Sequence, residues 1–422
     1  MISRHDPPVA LRPTRRWGAL ALAFGALVTG GVLVAPATQA QQDPPSFYDT
    51  PASLPPNNGD IVRAEAMTFY LDPLKVTRIE ADVHRVMYRS SDRDGTPIAV
   101  TGTVITPRTP WLGAGERPII GYAPGTQGLG DHCAPTRQAA MGTEYEGLFL
   151  AGLVLRGYGI AMTDYQGLGT AGVHTYMNRV VQGTAVLDSI RAAQRLPEAG
   201  LPDDGPVAIS GYSQGGGASA SAAELHPAYA PELDVKGAVA GAVPADLVKV
   251  GVNIDGGLYV AFLGYALAGL AAGYDIDLSP LLNDRGKQVL SEVEQYCTIE
   301  AVARFALTRS ADLTVDGRPF TDHLSERPDL QRIADEQTLG TLKPSVPVLV
   351  NHSWLDDVIP FKVGKKLSTD WCGLGANVRF SANLGPTHVG GAVAAQPKIY
   401  LWLESRFAGV PALSNCRNVP LP

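Results

Sequence analysis

The chain has 422 residues, 45% of them hydrophobic, and a formal net charge of −7. That length can bury a large core, and the acidity excludes nucleic acid or an anionic membrane as a natural partner. The four cysteines form no C-x-x-C pair and no H-E-x-x-H occurs, so no metal site is indicated.

Residues 1–40 read as a signal peptide. Arg4, Arg12, Arg15 and Arg16 precede an apolar run from Trp17 to Val34, and Thr38-Gln39-Ala40 offers small residues for cleavage. Arg15-Arg16 suits twin-arginine export, the Sec route being equally compatible. The run is long enough to serve as an uncleaved anchor, but its glycines and the small-residue site favour removal, which leaves no stable membrane span. Loss of four Arg and one Asp takes the chain from −7 to −10. The expected location is extracellular, with retention at the cell envelope as the alternative.

Residues 41–60 are rich in Pro and Asn and read as irregular. His84 falls in an N-terminal strand. Strand-like segments then lie near 98–106, 117–123, 157–164, 206–210, 235–242, 345–351 and 377–384. Helices fit near 138–155, 181–195, 214–225 and 391–407, and in the second of these Val186, Ile190 and Ala193 share one face. The alternation predicts an α/β fold: a mostly parallel sheet with helices on both faces. It stops between residues 244 and 342, where the run Gly257 to Leu270 is apolar on all sides but too short to cross a membrane. The expected organisation is therefore a core over 41–243 and 343–422, interrupted by a helical cap or lid over 244–342.

The chemistry gathers where strands end. After the strand at 117–123 comes Pro124-Gly125-Thr126-Gln127-Gly128, whose glycines let backbone approach a ligand closely. Gly211-Tyr212-Ser213-Gln214-Gly215 lies between a strand and a helix of small residues, the setting of the α/β-hydrolase nucleophile elbow. Ser213 is the candidate nucleophile, and the backbone N–H groups of Gln127 and Gln214 are the candidate oxyanion donors. A base and an orienting acid are expected downstream, in the order Ser, Asp, His. Asp356 and Asp357 both leave the strand at 345–351. An acid usually stands four residues before a proline such as Pro360, which selects Asp356 and makes Asp357 a solvated or helix-capping neighbour. Of eight histidines, His388 alone lies in the loop after the last strand; His352 sits on the acid strand itself.

Pro124-Gly125-Thr126-Gln127-Gly128, Cys133-Ala134-Pro135, Asp164-Tyr165-Gln166-Gly167-Leu168-Gly169, the serine pentapeptide and Asp356-Asp357-Val358-Ile359-Pro360 together resemble the secretory lipases, from about residue 45 to the C-terminus. The resemblance implies an α/β-hydrolase with a large helical cap that cleaves triacylglycerols and simpler carboxylic esters without a cofactor. It maps the family's triad onto Ser213, Asp356 and His388, and its oxyanion donors onto Gln127 and Gln214. The implied partner is a lipid or ester substrate, at an oil–water interface, met by a monomer.

Four cysteines allow three pairings. Cys133 follows the oxyanion loop and Cys297 lies in the insertion, whereas Cys372 and Cys416 share the last segment, so Cys133–Cys297 and Cys372–Cys416 are expected. Gly167-Leu168-Gly169-Thr170-Ala171-Gly172 matches a dinucleotide fingerprint, but no helix opens after it. Asn351-His352-Ser353 matches a glycosylation acceptor at the end of a core strand. Acyl transfer to water is the expected reaction. The alternatives are a short-chain carboxylesterase, an acyltransferase of the same fold, a serine peptidase and a non-catalytic binding protein.

Overall fold

The computed structural model describes residues 46–419, so the expected signal peptide over 1–40 lies outside the described residues. In chain order the strands are β1 (Ile61–Met67), β2 (Ala81–Ser91), β3 (Pro97–Pro107), β4 (Ile119–Ala123), β5 (Gly159–Thr163), β6 (Val207–Tyr212), β7 (Val235–Gly241), β8 (Val348–Ser353) and β9 (Val378–Asn383). The helices are α1 (Pro135–Met141), α2 (Gly147–Val154), α3 (Arg179–Arg195), α4 (Gln214–Tyr229), α5 (Leu247–Ile254), α6 (Ala261–Tyr274), α7 (Asp284–Val293), α8 (Thr298–Phe305), α9 (Pro328–Glu336), α10 (Phe361–Gly373) and α11 (Thr387–Phe407). All nine strands join one sheet in the order β1-β2-β3-β5-β4-β6-β7-β8-β9. From β5 to β9 every neighbouring pair is parallel, while β1, β2 and β3 extend the sheet antiparallel.

The pleat explains the two cores. Successive side chains of a strand point to opposite faces, so Ile119, Val207 and Ile209 pack with α3, α4 and α10, while Ile120, Ala208 and Leu349 pack with α1, α2 and α11. Parallel strands need covered faces, which is why β6, β7 and the first half of β8 read as continuous apolar runs rather than alternating ones. On α3 the predicted stripe of Val186, Ile190 and Ala193 is fully buried, and Asn178 caps the helix by accepting the Val181 N–H at 3.4 Å. Glu224 of α4 accepts from Arg179 at 2.5 Å, Trp371 Nε1 at 2.8 Å and the Gly340 N–H at 2.7 Å. One buried carboxylate thereby joins three elements of that layer, its charge matched by a guanidinium and two further donors.

Two expectations change. The helix expected over 138–155 is two helices, because Gly142 takes φ +75° and its N–H turns back to Ala139, ending α1. The last helix begins at Thr387, four residues earlier than expected, so His388 lies in the first turn of α11 and not in a loop. The cause is an external cap: the Asp357 carboxylate accepts the His388 backbone N–H at 2.8 Å. β1 was not foreseen.

Residues between β7 and β8 hold α5 to α9 and, among the described residues, no named strand. The all-round apolar run forms most of α6, whose Tyr265, Ala268 and Gly269 are buried against Tyr176. Both expected disulfides are present, Cys133–Cys297 with Cα atoms 5.3 Å apart and Cys372–Cys416 with 5.5 Å. No helix of the described residues is long and apolar enough to cross a membrane.

The Cys372–Cys416 link closes a 44-residue span from α10 to the C-terminal segment. Replacing both by Ala is expected to cost about 4 kcal/mol through the freed unfolded chain, a fall of about 5 °C in thermal midpoint. Scanning calorimetry of the double variant checks it; an unchanged midpoint refutes it.

Candidate active site

Four segments converge at the C-terminal ends of the parallel strands, where open α/β sheets form their clefts. They follow β4, β6, β8 and β9. The turn after β6 is the tightest. Ser213 takes φ +62° and ψ −121°, a conformation that L-residues rarely adopt, and α4 starts at the next residue. Only residues without side chains fit beneath it. A Cβ on Gly215 would stand 1.9 Å from the Ala123 carbonyl oxygen, and one on Gly216 the same distance from that of Gly241. The helix therefore lies directly on β4 and β7, and Ser213 stands at its N-terminus.

Asp356 and His388 meet although 32 residues separate them. His388 Nδ1 lies 2.8 Å and 3.0 Å from the two Asp356 oxygens. The carboxylate also accepts the N–H groups of Val358 and Ile359 at 3.0 and 2.8 Å. Burial alone would raise the Asp356 pKa, but the His388 contact and those backbone donors hold it below the ordinary value. An ionised Asp356 makes Nδ1 the donor, which leaves Nε2 of His388 as a lone-pair acceptor. Nε2 is buried and has no hydrogen-bond partner among the described residues. The ring is tilted against Tyr212, centroids 5.1 Å apart, and Tyr212 Oη donates to the His388 carbonyl at 2.9 Å. Tyr212, the residue preceding Ser213, thus holds His388 in place. No hydrogen bond joins Ser213 to His388 within the described residues.

Gln127 lies in the segment after β4, and Gln214 is the first residue of α4, directly after Ser213. Neither backbone N–H donates to a group of the described residues. Their side chains are engaged elsewhere: Gln214 Nε2 donates to Nε2 of His174 at 3.0 Å, while Nδ1 of His174 donates to the Gln166 carbonyl at 2.8 Å. Burial pushes His174 down to about 4, consistent with a neutral ring that accepts at one nitrogen and donates at the other. The Gly167–Gly172 loop is a series of turns with Gly167, Gly169 and Gly172 at positive φ, and no helix opens from it. Asn351 is buried on β8, which removes it as a sugar acceptor.

Ser213 lines a small cavity whose walls include Tyr176, Pro244, Val250, Ile254 and Val358. A second cavity, between α5, α6 and α9, shares Leu247, Leu263 and Ala266 with the first. Both are lined almost wholly by apolar side chains. Adjacent apolar cavities beside the serine and within the helical segment suit a hydrocarbon chain.

Residues 134–415 match the secretory lipase family model. The chain belongs to the secretory lipases. A Mycobacterium tuberculosis relative named "probable inactive lipase" is 31% identical, over 78% of this chain and 74% of its own length. A secreted triacylglycerol lipase of Malassezia globosa is 26% identical over 90% and 84%. The fold matches the closed state of Candida antarctica lipase A with a TM-score of 0.76 at 21% identity, covering 90% of this chain and 89% of that one.

Asp357 is exposed and caps a helix, as expected, and the helix is the one that carries His388. Two features escaped the sequence. His352 lies fully buried beneath Asp356, its Nε2 donating to the Ile359 carbonyl at 2.9 Å and standing 3.6 Å from the Asp356 carboxylate. Its place four residues before Asp356 was the available signal. Glu144 and Glu146, both buried, lie under the 125–127 loop. Burial pushes Glu146 up to about 7, against the N–H of Gly125 and the hydroxyl of Tyr122. Burial and the neighbouring Glu146 push Glu144 well above the carboxylate range, and burial moves Asp164 to about 6.

These raised carboxyls set a direction. A group protonated more readily in the folded state stabilises below its unfolded pKa and loses that contribution as pH rises. The thermal midpoint is expected to fall between the ordinary 4.5 of a glutamate and about 7, and Glu146→Gln should flatten part of that slope. Asp356 acts oppositely, its contribution being lost only as pH falls below the ordinary 3.8. Thermal melts across this range for both proteins decide it; parallel profiles refute it.

Proposed function

We propose that this secretory lipase is an exported, monomeric triacylglycerol lipase that cleaves carboxylic esters through Ser213, His388 and Asp356, with residues 244–342 as its helical cap. The observation that carries this reading is a serine strained at a strand–helix turn, lining an apolar cavity, in a site with a carboxylate-bound histidine whose outer nitrogen has no partner among the described residues. Export by the Sec or twin-arginine route follows from residues 1–40, and the name of the Malassezia globosa relative supports both secretion and the triacylglycerol substrate.

The chemistry runs from these positions. Nε2 of His388 takes the proton of Ser213 Oγ as that oxygen attacks the ester carbonyl. Asp356 keeps the ring in the required tautomer and balances the imidazolium. The backbone N–H groups of Gln127 and Gln214, free of partners among the described residues, donate to the oxyanion. His388 returns the proton to the leaving glycerol oxygen. Water then repeats the sequence on the acyl-enzyme and releases the fatty acid. The acyl chain lies in the cavity beside Ser213 and extends past Leu247, Leu263 and Ala266.

The test is hydrolysis of glycerol esters from acetate to long-chain acyl groups. Ser213→Ala is expected to remove activity by several orders of magnitude on all of them. Ala266→Trp, which fills the wall between the two cavities, is expected to lower kcat/KM on long chains by about tenfold or more while sparing acetate. Equal losses on short and long chains would remove the acyl chain from these cavities, and activity retained by Ser213→Ala would move the nucleophile elsewhere.

A further inference from the structure

The linker between α1 and α2 does something that an ordinary connection does not. Three consecutive side chains bond three consecutive residues of the 125–127 loop, in reverse order. Glu146 Oε2 accepts the Gly125 backbone N–H at 2.8 Å. Tyr145 Oη donates to the Thr126 carbonyl at 3.0 Å. Glu144 Oε1 accepts from Gln127 Nε2 at 3.1 Å. Both glutamates are almost wholly buried, and no Arg, Lys or His side chain among the described residues forms an ion pair with either. Burying two carboxyls without a cation is costly unless each is engaged by donors. Here the donors come mainly from the loop itself and from Tyr122, which donates to Glu146 at 3.1 Å.

From the far side, Gln138 Nε2 donates to Gln127 Oε1 at 2.7 Å, fixing that side chain at both ends. Thr298 of α8 donates to the Thr126 carbonyl at 2.6 Å through its hydroxyl, and to the Gln127 carbonyl at 3.0 Å through its N–H. Among the described residues the Gln127 N–H, like that of Thr126, has no acceptor. The Gln127 side chain and carbonyl are both held, while its N–H is left free.

We infer that Glu144, Tyr145 and Glu146 are positioning residues that aim the Gln127 N–H at the developing oxyanion. The inference rests on the proposed role of Gln127 as an oxyanion donor. Its physical basis is the steep dependence of such stabilisation on donor placement: loss of one donor costs about 10²- to 10³-fold in kcat, and an error of about 1 Å is comparably damaging. A protonated Glu144, which its burial favours, also places no negative charge beside the oxyanion.

The test compares Tyr145→Phe, Glu144→Ala, Glu146→Ala and the isosteric Glu144→Gln and Glu146→Gln with the parent enzyme. Active sites are titrated with a serine-directed phosphonate, so that kcat refers to competent enzyme only, and affinity is measured for a trifluoromethyl ketone that forms a tetrahedral adduct. The Ala variants are expected to lose about 30-fold or more in kcat, and Tyr145→Phe about 3- to 10-fold, with KM within about threefold. Ketone affinity falls in step, and the Gln variants recover most of the loss because the amide oxygen still accepts from the loop. Tyr145 is half exposed, so its variant decides the matter where an Ala variant fails to fold. A kcat per titrated site within twofold of the parent, with unchanged ketone affinity, overturns the clamp. Gln variants as damaged as the Ala variants overturn it too. A parent that takes up no phosphonate at Ser213 overturns the underlying hydrolase reading instead.

Discussion

The close approach of α4 to the backbone of β4 and β7 governs the rest of the site. With two carbonyl oxygens 1.9 Å from where Cβ atoms would sit, this crossing admits only glycine at 215 and 216. The chain must then turn within one residue between the end of β6 and the start of α4, and Ser213 absorbs the turn at positive φ. Strain of this kind persists only where the surroundings over-determine it. Here a parallel sheet buried on both faces does so. The same geometry brings the N-terminus of α4 to the end of β4, which is why the 125–127 loop can face the serine at all.

Around that fixed point the buried carboxyls divide by what reaches them. Asp356 receives two backbone N–H groups and an imidazole, and these donors outweigh the cost of burial and keep it ionised. Glu144 receives one amide donor, keeps one oxygen without a partner and faces Glu146, so burial and that neighbour prevail and favour the acid form. The difference arises from the donors and charges that reach each carboxyl, not from residue type.

Much of the fold was legible because buried parallel strands leave an unmistakable mark. Val207 to Ile209 and Val348 to Val350 are continuous apolar runs flanked by turn residues, and their order fixes the sheet. β1 left no such mark, being a half-exposed edge strand with charges at 63 and 65. The nucleophile turn was legible from its glycines, and the Asp356–His388 pair from its position after the last two strands. The capping role of Asp357 was legible, but its partner 31 residues away was not. His352 and the glutamate pair were not legible either: their roles depend on burial that a strand-end histidine does not announce, and on a linker that looked like continuous helix until Gly142 broke it.

The loop carrying Gln127 is held by the core on one side and by the helical segment on the other. Glu144, Tyr145 and Glu146 grip it from the core. Cys297 pairs backbone with Gly128 and is disulfide-linked to Cys133, and the adjacent Thr298 bonds residues 126 and 127. α8 begins at that point, and its Phe305 packs in the same cluster as Tyr265 of α6, the helix that walls both cavities. The apolar cavities and the Gln127 loop are therefore parts of one packed and cross-linked unit. A displacement of α6 must then either bend at α8 or disturb the Gln127 N–H. The disulfide at Cys297 pins the start of α8 to the core, while the remainder of the helical segment is tied to it by side-chain packing and by single hydrogen bonds such as those of Asn253 to the Asp357 and Val358 carbonyls and of the Arg179 N–H to Gln337.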